Sequence, residues 1–185
     1  LTPVYNDWKN LAKLLKKINN IFKKQIKTKF ELIIVDDCSN EIFNFKKYKL
    51  GMISKITIIS LVQNVGSQSA IAIGIKYLNS SNNKNFKTII MDSDGQDDPK
   101  NIYKMLSLSK LKPKFSIAVN RKQRKEPVWF KLCYKIYCLL IEIFCAKKIR
   151  FGNFTLINRL HLKVLSKKND LWSAFPPTVI KNIDK

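Results

Sequence analysis

The chain has 185 residues, 45% of them hydrophobic, which suits one globular domain with its own core. Its formal charge of +22 comes from 35 Lys and Arg against 13 Asp and Glu, a balance fitted to anionic partners such as nucleotide diphosphate, acidic lipid or nucleic acid. Only four of those cations are Arg (Arg121, Arg124, Arg150, Arg159), the usual group for bidentate phosphate and base contacts, and the Lys are spread among Ile and Asn. A solvated lysine surface is therefore the better account of most of the charge, and a basic nucleic-acid-binding module is the weaker alternative.

The chain opens on Leu1-Thr2-Pro3 as though a strand were already under way, so a fragment of a longer protein is expected. Residues 1–4 end that strand, and Asp7 is placed to cap a helix whose inner face carries Trp8, Leu11, Leu14, Leu15, Ile18, Ile21 and Phe22. The apolar run 30–35 stops at Asp36-Asp37-Cys38-Ser39, a strand followed by a polar turn. Another strand covers 55–61, and Asn64-Val65-Gly66-Ser67 leads into a helix with Ala70, Ile73, Gly74, Tyr77 and Leu78 facing inward. After a polar loop at 79–85 come a strand at 88–91, a helix at 99–109 and a strand at 115–119. The sole histidine, His161, falls at a helix start, and Cys38, Cys133, Cys138 and Cys145 form no CxxC pair. Neither a zinc site nor a Cys–His nucleophile is supported, and with no signal peptide in view the thiols read as reduced and cytosolic. Strands alternating with helices predict an α/β fold built on a mostly parallel sheet with right-handed crossovers.

In such a sheet ligands collect beyond the carboxyl ends of the strands, and that is where the distinctive residues fall. Pro3, Tyr5 and Asn6 follow the first strand, Asp36 and Asp37 the second, and Asp92 and Asp94 the fourth. The segment 88–99 is the most informative: a β-branched run ends in Asp92-Ser93-Asp94, followed by Gly95, Gln96 and Asp97-Asp98-Pro99. Asp92, Asp94 and Gln96 supply oxygen donors only, a set suited to Mg²⁺ or Mn²⁺ holding a diphosphate. Asp97 and Asp98 are better explained as turn and helix cap, with Pro99 opening the helix.

These motifs resemble glycosyltransferase family 2, with its GT-A (Rossmann-like) fold, and within it the polyprenyl-phosphate (dolichyl-phosphate) branch. The matching residues are Thr-Pro-Val-Tyr-Asn at 2–6, Ile-Val-Asp-Asp-Cys-Ser at 34–39, Asn-Val-Gly at 64–66 with Ala70 and Gly74, and Met-Asp-Ser-Asp-Gly-Gln-Asp-Asp-Pro at 91–99. Val119-Asn120-Arg121 with Arg124, and Gly-Asn-Phe-Thr-Leu-Ile-Asn-Arg at 152–159, continue the match in the expected order. The resemblance implies that 1–120 forms the nucleotide-sugar-binding core, while 121–185 is an acceptor- and membrane-facing part of the same domain, truncated. Pro3 and Tyr5 would line the base pocket, Asp36 would accept from a ring N–H of the base, and Asp92 would lie beside ribose and metal. Asp94 would be the chief metal ligand, joined by Gln96. Arg121 and Arg124 would meet phosphate groups of donor or acceptor, with Asp94 and Arg121 as the catalytic pair.

The activity so implied is metal-dependent, inverting transfer of a hexose from a UDP- or GDP-sugar to a polyprenyl phosphate or lipid-linked glycan in cell-envelope synthesis. An acceptor phosphate arrives ionised and needs no general base, whereas a hydroxyl needs a carboxylate within reach. The sequence leaves both open. Three departures bear on substrate: Cys38 stands where relatives often carry Gly, Asn153 where they often carry Asp, and Gln63 where Arg is common. A catalytically inactive relative that keeps only the fold is a further alternative.

The stretch 128–146 is apolar but for Lys131, Lys135 and Glu142, which argues against a lipid-spanning helix. At ~100° per residue these charges fall within an arc of about 40°, leaving a broad apolar face. With Arg121, Lys122, Arg124 and Lys125 before it and Lys147, Lys148 and Arg150 after, it has the pattern of an amphipathic helix in a membrane interface. A core or subunit-contact helix has the same pattern, and the resemblance favours the membrane, at its cytoplasmic face. A second copy of the chain is a further candidate partner. The segment 171–177, Leu-Trp-Ser-Ala-Phe-Pro-Pro, is expected to break any helix and expose its aromatics.

Overall fold

The computed structural model describes residues 1–41, 43–45, 48, 50–81, 85–120 and 151–183. Arg121, Arg124 and the apolar stretch 128–146 lie outside the described residues, as do Cys133, Cys138 and Cys145.

Among the described residues six strands form the sheet: β1 (Thr2–Val4), β2 (Phe30–Asp36), β3 (Ile53–Ser60), β4 (Thr88–Ile90), β5 (Ile117–Asn120) and β6 (Phe151–Ile157). β1, β2 and β3 pair in parallel in that order, with Val4 opposite Asp36 and Asp36 opposite Ser60. β4 and β5 flank β6, which runs antiparallel to both. Leu1 joins the two halves: its amino nitrogen donates to the Ile89 carbonyl at 2.8 Å and its carbonyl accepts from Met91 N–H at 3.1 Å. That is the parallel bonding pattern, so β1 lies beside β4 and the strand order is β3-β2-β1-β4-β6-β5. Pro3 has no N–H to offer, and the ladder stops there.

The sheet is covered on both faces, which is why its central strands read as unbroken apolar runs. Alternation along β2 sends Leu32 and Ile34 to one core cluster and Ile33 to the other. The first cluster is closed by helix α1 (Trp8–Ile21) and by Ile102 and Met105 of α3 (Asn101–Leu111). In α1 the residues Leu11, Leu14, Leu15 and Ile18 are buried while Lys9, Lys13, Lys16 and Lys17 are exposed. The second cluster takes Ile71 and Ile75 from α2 (Ser67–Asn79), Leu162 and Leu165 from α4 (Arg159–Leu165), and Phe175 and Val179 from α5 (Phe175–Ile183). Because α2 is itself covered by the C-terminal elements, it is apolar over most of its circumference.

Several expectations change. β6 was legible only as a motif, because Phe154, Thr155, Leu156 and Ile157 are all buried and show no alternation. The sheet is parallel through β1–β3 and mixed beyond β4. On α2, Gly74 and Leu78 face inward as expected but Tyr77 is 42% exposed, its place taken by Ile71 and Ile75. Asp7 does not cap α1: its carboxylate accepts from the Asn10 side-chain amide at 2.8 Å instead of a backbone N–H. The 171–177 segment does not break the helical run but starts one, for Pro176 and Pro177 lie in the first turn of α5, where a missing N–H costs nothing. Phe175 is fully buried there, and only Trp172 of its aromatics remains partly exposed. Among the described residues, no helix is long and apolar enough to cross a membrane.

Candidate active site

The loops that follow β1, β2, β3 and β4 lie along the carboxyl edge of the parallel strands. The first three are bonded into one unit. The Asp37 N–H donates to the Val4 carbonyl at 2.8 Å, and the Asn6 N–H donates to Ser39 Oγ at 2.9 Å. Asn40 N–H returns the contact to Asn6 Oδ1 at 2.8 Å, with Asn6 itself in the left-handed region at φ 52°. Asp36 Oδ1 accepts from Ser39 N–H at 3.0 Å, closing the turn on which Cys38 sits at φ 65°. That conformation favours Gly over any residue with a Cβ, so Cys38 is strained where a glycine would not be.

Asp36 and Asp37 have different roles. Asp37 is 2% exposed, and its two oxygens accept from Val65 N–H at 2.7 Å and Gly66 N–H at 2.9 Å. It fastens the loop after β3 to the loop after β2 and sets Gly66, at φ 82°, at the start of α2. Asp36 is half-buried at the strand end, beside Val4, and Tyr5 beyond it is 51% exposed at the mouth. Pro3 is buried within β1 and not in the loop, so it supports the edge from beneath.

On the other side of β1, the β4 loop carries Asp92, Asp94 and Gln96. Leu1 lies opposite Ile90 in the β1–β4 ladder, and the same register continued places Asp92 opposite Pro3. Asp36 and Asp92 therefore flank the end of β1 at about two strand spacings, roughly 10 Å. Asp94 and Gln96 are exposed, and Asp94 Oδ1 accepts from Gln96 N–H at 2.9 Å across Gly95, whose φ is 74°. Asp98 does not cap α3 as expected: its Oδ1 accepts from Lys100 N–H at 3.0 Å in the turn before the helix, and Lys100 holds the N-cap position with no side-chain cap bond.

Sequence reasoning missed a second contact to Asp92. Asn153, buried near the start of β6, donates from Nδ2 to Asp92 Oδ1 at 2.8 Å. Its Oδ1 accepts from Gln68 Nε2 at 3.3 Å, and Gln68 Oε1 accepts from Phe175 N–H at 2.8 Å. Asn153 had stood out only as a departure from the usual Asp, and Gln68 carried no signal beyond being a polar residue on the first turn of α2.

Asp92, Asp94 and Gln96 fit a hard divalent cation by donor type, all oxygen on one loop. Among the described residues no three His, Cys, Asp or Glu side chains gather as a metal cage. Two carboxylates with an amide oxygen would leave coordination positions for phosphate and water, the usual arrangement for Mg²⁺. Arg121 and Arg124 lie outside the described residues, so the phosphate side of the cleft rests on sequence. A cavity of about 1650 Å³ also runs between α1 and α3, lined among others by Leu11, Leu14, Phe22, Leu32 and Ile102, and none of Asp36, Asp92, Asp94 or Gln96 lines it.

Loops at the carboxyl edge of parallel strands, with acidic groups on both sides of a central strand, define an α/β protein whose candidate ligand site lies at that edge. The chain matches the Glycosyl transferase family 2 model over residues 1–166 and belongs to that family. Its strand arrangement is accordingly that of the GT-A fold. A crystal structure of residues 1–349 of S. aureus TarS is similar with a TM-score of 0.61 at 14% identity, covering 98% of this chain and 54% of that one. A crystal structure of S. aureus TarS gives a TM-score of 0.49 at 19% identity, with 69% of this chain and 22% of that one covered. This chain thus spans about half the length of the TarS fragment, and at such identities the likeness is one of fold. No curated protein sequence matches it.

Proposed function

We propose that the chain is the donor-binding and catalytic part of a metal-dependent, inverting glycosyltransferase. It takes a hexose from a UDP- or GDP-sugar and passes it to a lipid phosphate or lipid-linked glycan of the cell envelope, at the cytoplasmic face of a membrane. The observation that carries this is the placement of Asp36 and Asp92 on either side of the β1 end, with the exposed Asp94–Gln96 turn beyond Asp92.

The roles follow from position. A nucleoside laid across the end of β1 would meet Asp36 at its base and Asp92 at its ribose, with Tyr5 beside the base. Asp36 is a hydrogen-bond acceptor there and would select a base that offers a ring N–H. The diphosphate would then extend over Asp94 and Gln96, which would hold Mg²⁺ or Mn²⁺ together with Asp92. When bound, that cation supplies neutralisation of charge on the departing diphosphate. Asp94 would hold it, and Arg121 and Arg124 would add cationic groups for phosphate. The acceptor attacks from the face of the sugar opposite the leaving group, which inverts the anomeric centre. The rigid unit of Asn6, Ser39, Asp37 and Gly66 contributes by keeping the base end of the cleft formed before any ligand arrives.

The test is calorimetry with UDP and GDP, each with and without Mn²⁺, followed by transfer assays with UDP-, GDP- and dTDP-sugars and polyprenyl phosphate. Metal-dependent nucleotide binding and transfer is the expected result, with binding weakened on the order of 100-fold and transfer lost in Asp94→Ala. Wild type and Asp94→Ala behaving alike, with neither binding nor transfer, overturns the proposal. Salt-sensitive nucleic-acid binding indifferent to Asp94→Ala would replace it with the basic-module reading.

A further inference from the structure

The bonds from Phe175 N–H to Gln68, from Gln68 to Asn153 and from Asn153 to Asp92 form a chain with a fixed direction. A backbone N–H can only donate, so Gln68 must turn its oxygen to Phe175 and its nitrogen to Asn153. An ionised carboxylate can only accept, so Asn153 must turn its nitrogen to Asp92 and its oxygen to Gln68. Both ends demand the same orientation of both amides, and the orientation that satisfies them is the one present. The three bonds link residues 61, 85 and 107 positions apart, and tie the loop after β4, the start of β6, the first turn of α2 and the first turn of α5.

We infer that Gln68 and Asn153 are positioning residues, a one-way amide relay that holds the Asp92 carboxylate in place and couples it to the N-terminus of α5. What Asp92 does for a ligand rests on the glycosyltransferase reading; the relay itself does not. Two features make this more than core packing. Asn153 is 8% exposed, so an amide there must be matched at both ends or be costly. An Asp in its place would set acceptor against acceptor across the 2.8 Å now spanned by the amide. Asn153 therefore supplies Asp92 with a donor that a carboxylate could not, and Gln68 fixes which end of the Asn153 amide faces it. The segment after Trp172 is joined to the same chain, because Ser69 Oγ–H also donates to the Trp172 carbonyl at 3.2 Å.

Gln68→Glu keeps the shape and the acceptor for Phe175 but removes the donor to Asn153. In ¹⁵N-labelled free protein the Asn153 side-chain NH₂ signals are expected to move in Gln68→Glu and in Asp92→Asn, although residue 68 does not touch residue 92. Calorimetry with Mn²⁺ and UDP or GDP should show about a 10-fold loss of affinity in Gln68→Glu, the usual scale for groups that orient a metal-binding carboxylate. In Asn153→Asp, which loses the donor to Asp92, the same affinity should fall by about 10-fold or more. Asn153 signals that stay put in a folded Gln68→Glu overturn the relay. So does wild-type affinity in a folded Asn153→Asp. If Asn153→Asp does not fold, Gln68→Glu decides alone. If wild type binds neither nucleotide with Mn²⁺, the proposed function fails while the NMR result still decides the relay.

Discussion

Asp37 and Asp94 both stand just past the end of a parallel strand, in loops on the same edge, and their environments are opposite. Asp37 is 2% exposed and spends both oxygens on the N–H groups of Val65 and Gly66. Asp94 is exposed, and its one bond among the described residues is to Gln96 N–H within its own turn. The β1–β3 side of the edge is thus built by internal bonds before anything binds, while the Asp94 turn presents its oxygens to solvent. A carboxylate that is buried and doubly bonded holds the cleft together; one that is exposed on a tight turn is available to a ligand. The same residue type at equivalent places in the topology serves two ends, and burial decides which.

That contrast can be broken by substitution. The largest effect is expected from Asp37→Ala, which removes the acceptor from two part-buried N–H groups, of which Gly66 keeps Asn64 Oδ1 at 3.1 Å, and should cost about 2–4 kcal/mol in denaturant unfolding. If instead Asp37→Ala unfolds like wild type but loses nucleotide binding, the assignment of the two carboxylates is reversed. Asp94→Ala should do the converse. A drop on the order of 100-fold in Mn²⁺-dependent nucleotide affinity is expected, with a melting temperature near that of wild type.

Cys38→Gly sharpens the picture of the built side. Relief of the left-handed strain at φ 65° is worth about 1–2 kcal/mol, and the extra chain entropy of Gly takes back about 0.5–1, so a net gain of about 0.5–1 kcal/mol should appear as a higher melting temperature. The smallest effect lies away from the cleft, at His161. Burial lowers its pKa from the ordinary 6.5, and its Nδ1 accepts from Ser116 Oγ–H at 2.8 Å and the Asn158 amide at 3.2 Å. Because the folded value lies below the unfolded one, its contribution is complete above about pH 6.5 and is lost as pH falls through that value. Stability of His161→Asn measured from pH 8 to 5 should decline less steeply than that of wild type; an equal slope would show that the histidine is not responsible.

The positions of the functional loops were legible in the sequence because they depend on local rules. Runs such as 30–35 and 88–91 are apolar and β-branched, and they end abruptly in Asp. Strand ends can therefore be located without knowing what packs where. The family motifs rest on the same local stretches, and the match over residues 1–166 agrees with them. Other features were not legible because they depend on residues distant in sequence. β6 is buried on both faces and inserts antiparallel between β4 and β5, so no period marks it. Pro176 and Pro177 look like breakers until Phe175 is seen seated in the core, with its N–H bonded to Gln68.

What the sequence determined by itself was the order of the elements as far as β5 and the presence of carboxylates at the strand ends, since both follow from short-range periodicity and turn chemistry. Only the tertiary structure decided that Asp37 is a fastener, that Asp94 faces outward, and that Asp92 is held through Asn153 and Gln68. Those outcomes depend on burial and on which donor meets which acceptor across 28 to 107 residues of chain, and no local pattern encodes a distance in space.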